Sequence, residues 1–297
     1  MKTLFISDLD GTLLTSKETI SAFSLENLNK LIDEEGMLFT YATARSLNSA
    51  AKACWGLRQN LPVILYNGAV VMEPWSRRML YNNHFNREQR TFLRGLIDGA
   101  GLFPLVYSFS KEGKERVSWI RGKETEGIRR YLSRRTGDSR LNPIESPDEL
   151  CEDEIFYYTC IAEKSVTDPL NAAILQREDL KTIYEQETYH TDYWCEIMPR
   201  GTSKGAAAER LARELGADKM VVFGDAPNDA EMFCGAQRGR ASQTDRDGRD
   251  RLFGGGFRRQ IPDGKSCALP LSAFIIGKER LSSVWTAPRQ NFRRENF

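Results

Sequence analysis

Short apolar runs ending in acidic or turn residues alternate with amphipathic stretches along the first part of the chain. Leu4-Phe5-Ile6 is the first run, and it leads into Asp8 and Asp10. Leu25, Leu28, Leu31 and Ile32 then recur at helical spacing after a cap expected at Ser24, with Gly36 placed to end the helix. Met37 to Tyr41 reads as a second strand and Val63 to Tyr66 as a third, closed by Asn67-Gly68. Strands separated by helices predict parallel pairing with right-handed crossovers. The same grammar returns late in the chain. Gly205 to Leu215 is an alanine-rich helix with Gly216 behind it, and Met220 to Phe223 is a buried-strand candidate.

Residues 83 to 191 have a different texture. Val106-Tyr107-Ser108-Phe109, Val117-Ser118-Trp119-Ile120 and Ile155-Phe156-Tyr157-Tyr158 are alternating or aromatic runs separated by polar helical segments. The economical reading is an α/β protein: a core with a parallel sheet flanked by helices, interrupted by an α+β insertion. No internal repeat is visible.

Composition narrows the partners. The 297 residues carry 42 Lys and Arg against 41 Asp and Glu, a formal charge of +1, so no global field favours nucleic acid. The six cysteines form no CxxC pair and give no sign of a disulfide framework, and two histidines cannot supply a histidine-rich metal site. No apolar run is long enough to span a bilayer, and the N-terminus opens directly into a strand. The expected setting is a reducing cytoplasm. Oligomeric state leaves no mark in the sequence.

Chemistry gathers where strands end. Asp8-Leu9-Asp10-Gly11-Thr12-Leu13 follows the first strand, and the turn at Gly11 lets both carboxylates reach one pocket at the sheet's carboxyl edge. Anions that close repel unless a cation lies between them, and oxygen ligands suit magnesium. Taken alone, the segment could equally be an acidic turn. Thr43-Ala44-Arg45-Ser46 follows the second strand, offering a hydroxyl and backbone donors at a helix start; alone, it reads as an ordinary helix cap. Lys204 opens the late helix and Gly224-Asp225-Ala226-Pro227-Asn228-Asp229 follows the late strand. Each is unremarkable singly. Together they supply a nucleophile, an acid, a phosphate clamp, a cation and further metal ligands, all on the edge where a parallel sheet would collect them.

The set resembles, in order, the motifs of the haloacid dehalogenase superfamily. The long gap between Thr43 and Lys204, with Tyr66-Asn67-Gly68-Ala69, resembles the Cof-type branch, which inserts a large α/β cap there. The resemblance implies a Rossmann-like core formed by residues 1–82 and 192–297 and a cap formed by residues 83–191. It implies a magnesium-dependent phosphatase acting on a small phosphorylated metabolite, with a sugar phosphate as first choice. Asp8 would be the nucleophile and Asp10 the acid and base. Asp8, the Asp10 backbone carbonyl, Asp225 and Asp229 would hold Mg2+, and Thr43, Lys204 and Asn228 would hold phosphate oxygens. Tyr107, Trp119 and Arg121 are the cap candidates for facing the core.

Other readings stay open. A phosphosugar mutase shares the aspartyl-phosphate, whereas a dehalogenase generally lacks the second aspartate. A receiver-like phosphoacceptor would be far shorter. The end of the chain departs from the pattern, because residues 234 to 260 are crowded with Gly and Arg where the family places a short strand, an Asn-Ala turn and a closing helix. The expectation is a solvated or disordered tail with no packed strand after Phe233, arising from a shifted coding frame or a divergent end. Such a tail also leaves room for a catalytically weakened metabolite-binding protein.

Overall fold

A computed structural model of the chain describes residues 1–187, 190–236 and 238–241. The core begins with β1 (Thr3–Ser7), α1 (Ala22–Glu35), β2 (Leu38–Tyr41), α2 (Leu47–Ala53) and β3 (Val63–Leu65). It is completed late in the chain by α6 (Lys204–Glu214), β12 (Lys219–Gly224), α7 (Ala230–Gly235) and β13 (Arg238–Ala241). The sheet runs β13-β12-β1-β2, every pair parallel, and an Ala42–Ile64 bridge carries it on toward β3. Leu4 and Ile6 of β1 pack with Ala207, Ala208 and Leu211 of α6. The small alanines let that helix lie close to the sheet.

Local sequence sets the ends of these helices. Gly36 stops α1 in the left-handed conformation at φ 65°. The N-cap of α1 is Ser21, not Ser24. The Ser21 hydroxyl accepts the Ser24 N–H at 3.0 Å, so the expected cap residue is the donor of the capping bond.

Two short strands, β4 (Val70–Met72) and β5 (Met79–Asn82), continue β3 as an antiparallel hairpin and lead into the insert. The insert holds α3 (Arg87–Gly99), β6 (Leu105–Phe109), β7 (Glu115–Ile120), α4 (Glu126–Ser133), β8 (Leu141–Ile144), β9 (Glu154–Ala162), α5 (Lys164–Ile174), β10 (Leu180–Gln186) and β11 (Tyr193–Pro199). Its strands form one sheet in the order β10-β11-β9-β6-β7-β8, antiparallel except for β7 with β8.

Alternation along these strands sorts their side chains onto two faces. Cys160, Cys195 and Ile197 pack with Leu93, Ile97, Leu170 and Ile174 of α3 and α5. Tyr107, Ile161 and Met198 belong to a second cluster with Ile128 and Tyr131 of α4, which runs on to Tyr41, Leu65 and Tyr66 of the core.

Two expectations need correction. The insert was expected to end at 191, yet Tyr193–Pro199 pairs with both β9 and β10, so the insert's sheet runs on to Pro199. Burial of Cys195 and Ile197 beneath the helices holds that strand there. After Phe233, where no packed strand was expected, α7 continues to Gly235 and Arg238–Ala241 pairs in parallel with Val221–Gly224. An edge strand is held by main-chain hydrogen bonds, so this one forms without an aliphatic run. The expectations for residues 242 to 297 lie outside the described residues.

Candidate active site

The catalytic candidates are positioned by the carboxyl ends of β1 and β12. β1 passes directly into Asp8, whose N–H donates to the Phe223 carbonyl at 2.9 Å and thereby extends the β1–β12 pairing. Asp8 is 4% exposed. Ser203 caps α6 by accepting the Ala206 N–H, which sets Lys204 at the first helical position beneath the sheet edge. The Lys204 ammonium is buried and donates to Asp8 Oδ1 at 2.7 Å and to Asp229 Oδ1 at 2.8 Å. The other oxygen of Asp229 accepts the N–H groups of Asp225 and Ala226, both at 3.0 Å, folding the loop after β12 around its own carboxylate.

Glycine permits the next contact. Gly11 has φ 82°, and a Cβ there would lie 2.2 Å from Asp225 Oδ2. The turn therefore presses against Asp225, and the Thr12 hydroxyl donates to Asp225 Oδ1 at 2.8 Å. Oxygens of Asp8, Asp225 and Asp229 lie within 4.8 Å of one another. Burial raises Asp8 to about 6 even though the Lys204 ammonium pulls it down, and the Asp229 charge adds to the rise. Burial also raises Asp225. One lysine thus faces more carboxylate charge than it can neutralise. An all-oxygen donor set with surplus negative charge fits a hard divalent cation such as Mg2+.

The remaining expected residues take other partners. Asp10 is exposed, and Arg45 grips both of its oxygens, Nε to Oδ2 at 2.8 Å and Nη2 to Oδ1 at 2.5 Å. The same guanidinium also donates to Glu18 at 2.9 Å. Thr43 is buried, and its hydroxyl oxygen accepts the Arg45 N–H at 3.1 Å. The Asn228 amide donates to Asn67 Oδ1 at 3.0 Å, and its own Oδ1 is buried with no partner among the described residues.

Sequence reasoning passed over Arg45, Asn67, Tyr157 and Glu196 as functional residues. Arg45 and Asn67 lie inside quoted motifs, so adjacency was the available signal. Tyr157 and Glu196 stand mid-strand, where the available signal was a glutamate inside the apolar run Cys195-Glu196-Ile197. Of the cap candidates, Tyr107 is buried and donates to Tyr131, Trp119 donates to Glu124, and exposed Arg121 pairs with Glu145.

The backbone of the core turn reaches further. Tyr66, Asn67 and Gly68 have φ 51°, 54° and 93°, and a Cβ on Gly68 would meet the Ser203 carbonyl at 2.1 Å. Left-handed backbone at a tyrosine is strained, and surrounding contacts must hold it. Tyr66 supplies them. Its ring lies 5.0 Å from Phe156 and 5.9 Å from Tyr107, and its hydroxyl bonds Glu115 and accepts from Arg140 at 2.6 Å.

With this geometry in place, comparison with known proteins is decisive. The family model of haloacid dehalogenase-like hydrolases matches residues 5–244, most of the chain and past the point where the motifs stop. The chain belongs to that family. A putative phosphatase of Haemophilus influenzae is 23% identical over 240 residues, covering 79% of this chain and 82% of the relative. A Bacillus subtilis 5-amino-6-(5-phospho-D-ribitylamino)uracil phosphatase is 24% identical over 242 residues, covering 76% of this chain and 82% of the relative. Among solved structures, a Thermotoga maritima protein superposes with a TM-score of 0.64 at 24% identity, covering 81% of this chain and 86% of that one. A sugar phosphatase of subclass IIB superposes at 0.57 with 18% identity, covering 81% of this chain and 87% of that one. These likenesses give this haloacid dehalogenase-like hydrolase the core-plus-cap fold of its relatives. Among the described residues no helix is long and apolar enough to cross a membrane.

Proposed function

We propose that this hydrolase is a magnesium-dependent phosphatase of small phosphorylated metabolites, with Asp8 as nucleophile and residues 83 to 199 acting as the cap. The observation that carries the reading is the buried Lys204 ammonium held between Asp8 and Asp229, with Asp225 beside them. A buried lysine among carboxylates at a parallel sheet's carboxyl edge would receive a phosphoryl group once a divalent cation offsets the surplus carboxylate charge, because phosphoryl transfer depends mostly on positioning and charge neutralisation.

An Asp8 oxygen forms a bond to phosphorus as the phosphorus–oxygen bond to the leaving group breaks, and Asp10 gives its proton to the departing oxygen. Asp10 then takes a proton from water, the water oxygen bonds to phosphorus, and the bond to Asp8 breaks. Lys204 and Thr43 orient the phosphoryl oxygens. Mg2+ held by Asp8, the Asp10 carbonyl, Asp225 and Asp229 would supply charge neutralisation. For its proton transfers Asp10 must swing off Arg45 toward Asp8, so Arg45 parks the acid between turnovers. Asn228 acts through Asn67 in this arrangement rather than on phosphate.

Hydrolysis of p-nitrophenyl phosphate tests the reading. Turnover that requires Mg2+ and disappears in Asp8→Asn is the expected result. Full activity after exhaustive chelation overturns the metal site, and full activity in Asp8→Asn overturns the nucleophile.

A further inference from the structure

A hydrogen-bond relay joins the loop after β12 to the insert. Asn228 Nδ2 donates to Asn67 Oδ1 at 3.0 Å, Asn67 Nδ2 donates to the Tyr157 hydroxyl at 3.2 Å, and Tyr157 donates to Glu196 Oε2 at 3.0 Å. Its members come from the loop after β12, the turn after β3, and strands β9 and β11. Asn67 and Tyr157 are buried, and Glu196 is half-buried.

The relay has a direction. An ionised carboxylate only accepts, so Glu196 takes the single proton of the Tyr157 hydroxyl. Burial, with the Glu196 charge adding to it, holds that phenol well above its ordinary value, so the proton stays on Tyr157. The Tyr157 oxygen is then left to accept from Asn67, which turns the Asn67 amide with Oδ1 toward Asn228. Turning the Asn228 amide over would set its oxygen against Asn67 Oδ1, two acceptors face to face. The relay thus holds Asn228 in one orientation against a cost, because Asn228 Oδ1 is left buried without a partner among the described residues.

The place of Asn228 makes that orientation matter. It lies in the single turn Pro227–Asp229, beside buried Asp229. Asp229 Oδ1 accepts from Lys204, and its Oδ2 accepts the N–H groups of Asp225 and Ala226. Asn67 lies in the left-handed turn whose Gly68 presses on the Ser203 carbonyl, immediately before Lys204. One core turn therefore touches both sides of the Lys204–Asp229 pair. The insert grips that turn twice, Tyr66 through Glu115 and Arg140, and Asn67 through Tyr157 and Glu196.

We propose that Tyr157 and Glu196 are positioning residues for phosphoryl transfer: through Asn67 they fix Asn228, and with it the turn that sets Asp229 against Lys204. The inference rests on the phosphatase reading above and gives the insert a part in the reaction besides that of a cap. Partners that orient the groups around a metal and a phosphoryl site govern rate through geometry, without touching the reacting atoms themselves.

Hydrolysis of p-nitrophenyl phosphate by the full chain with Mg2+ tests the relay. Tyr157→Phe keeps the ring and removes the hydroxyl; it should lower kcat about 10–100-fold and leave KM within about twofold. Asn228→Ala should lower kcat by a similar factor. The double variant should be no slower than the slower single one, because both remove the same support. Glu196→Leu, which cannot accept, should match Tyr157→Phe, whereas Glu196→Gln, which keeps an acceptor, should restore most of the turnover. Glu196→Leu also stands in should Tyr157→Phe fail to fold. Unchanged kcat in Tyr157→Phe and Glu196→Leu, or losses that multiply in the double variant, overturn the inference while turnover itself upholds the phosphatase. If no phosphate ester is hydrolysed, the phosphatase reading falls. The relay is then judged by the side-chain amide NMR resonances of Asn67 and Asn228: displacement of both in Tyr157→Phe supports it, and an unmoved Asn228 signal refutes it.

Discussion

The core sheet and the insert sheet place their polar residues according to different rules. In the core, the groups with chemistry stand just past the ends of parallel strands. There a turn or helix start points each one at the sheet's edge: Asp8 after β1, Lys204 at the head of α6, Asp225 and Asp229 after β12. In the insert, the polar groups linked to the core turn by hydrogen bonds stand in the middle of antiparallel strands, and alternation alone aims them. Tyr157 and Glu196 are of this kind. The core therefore fixes a reaction that loops can hardly vary without losing it. The insert offers a surface on which single substitutions change chemistry without touching the fold. That division can be broken or sharpened by substitution.

The largest effect belongs to the core. Asp8→Asn should lower turnover about 10³-fold or more while the circular dichroism spectrum stays native, because a carboxylate that attacks phosphorus has no substitute. Asp10→Asn should lower kcat by about 10²–10⁴-fold, the range of a lost general acid and base. Single-turnover kinetics with a good leaving group such as p-nitrophenolate would separate the two, since it departs without a proton and only Asp8→Asn then abolishes the covalent intermediate.

Lys204→Met should destabilise the protein by about 3–5 kcal/mol in the presence of chelator, because it leaves Asp8 and Asp229 buried without their cation. Urea denaturation would measure this, with Mg2+ returning part of the loss. An unchanged midpoint would mean that the acidic cluster is neutralised some other way.

The smallest effect belongs to the insert and concerns pH. The raised Glu196 carboxyl, at about 7 against an ordinary 4.5, favours the folded state most below pH 4.5. That contribution is lost as pH rises toward 7, when the half-buried group must ionise. Glu196→Gln should accordingly leave the melting temperature unchanged near pH 4.5 and raise it by about 2–4 °C at pH 8, equivalent to about 1 kcal/mol after allowing for solvent screening. A rise of equal size at both pH values would show that packing, not charge, is responsible.

The same division explains what could be read from the residues alone. Strand ends carry acidic and glycine signals in short consecutive stretches, so Asp8-Leu9-Asp10-Gly11 and Gly224-Asp225 announce both the fold and the place of the chemistry. Asn228 was read by the same logic. It stands in the right loop, but its partner, Asn67, is brought near only by the left-handed turn after β3. The relay through Tyr157 to Glu196 joins strands far apart in sequence, and only register brings them together. Residues 193–199 were placed with the core rather than the insert because a strand's own sequence does not say which neighbours it will pair with. β13 was missed because main-chain bonding leaves no signature in side-chain composition.

The Tyr66 ring, packed against Phe156 and Tyr107, is a joint between the core turn and the insert. Parting the insert from the core would have to withdraw that ring and release its hydroxyl from Glu115 and Arg140.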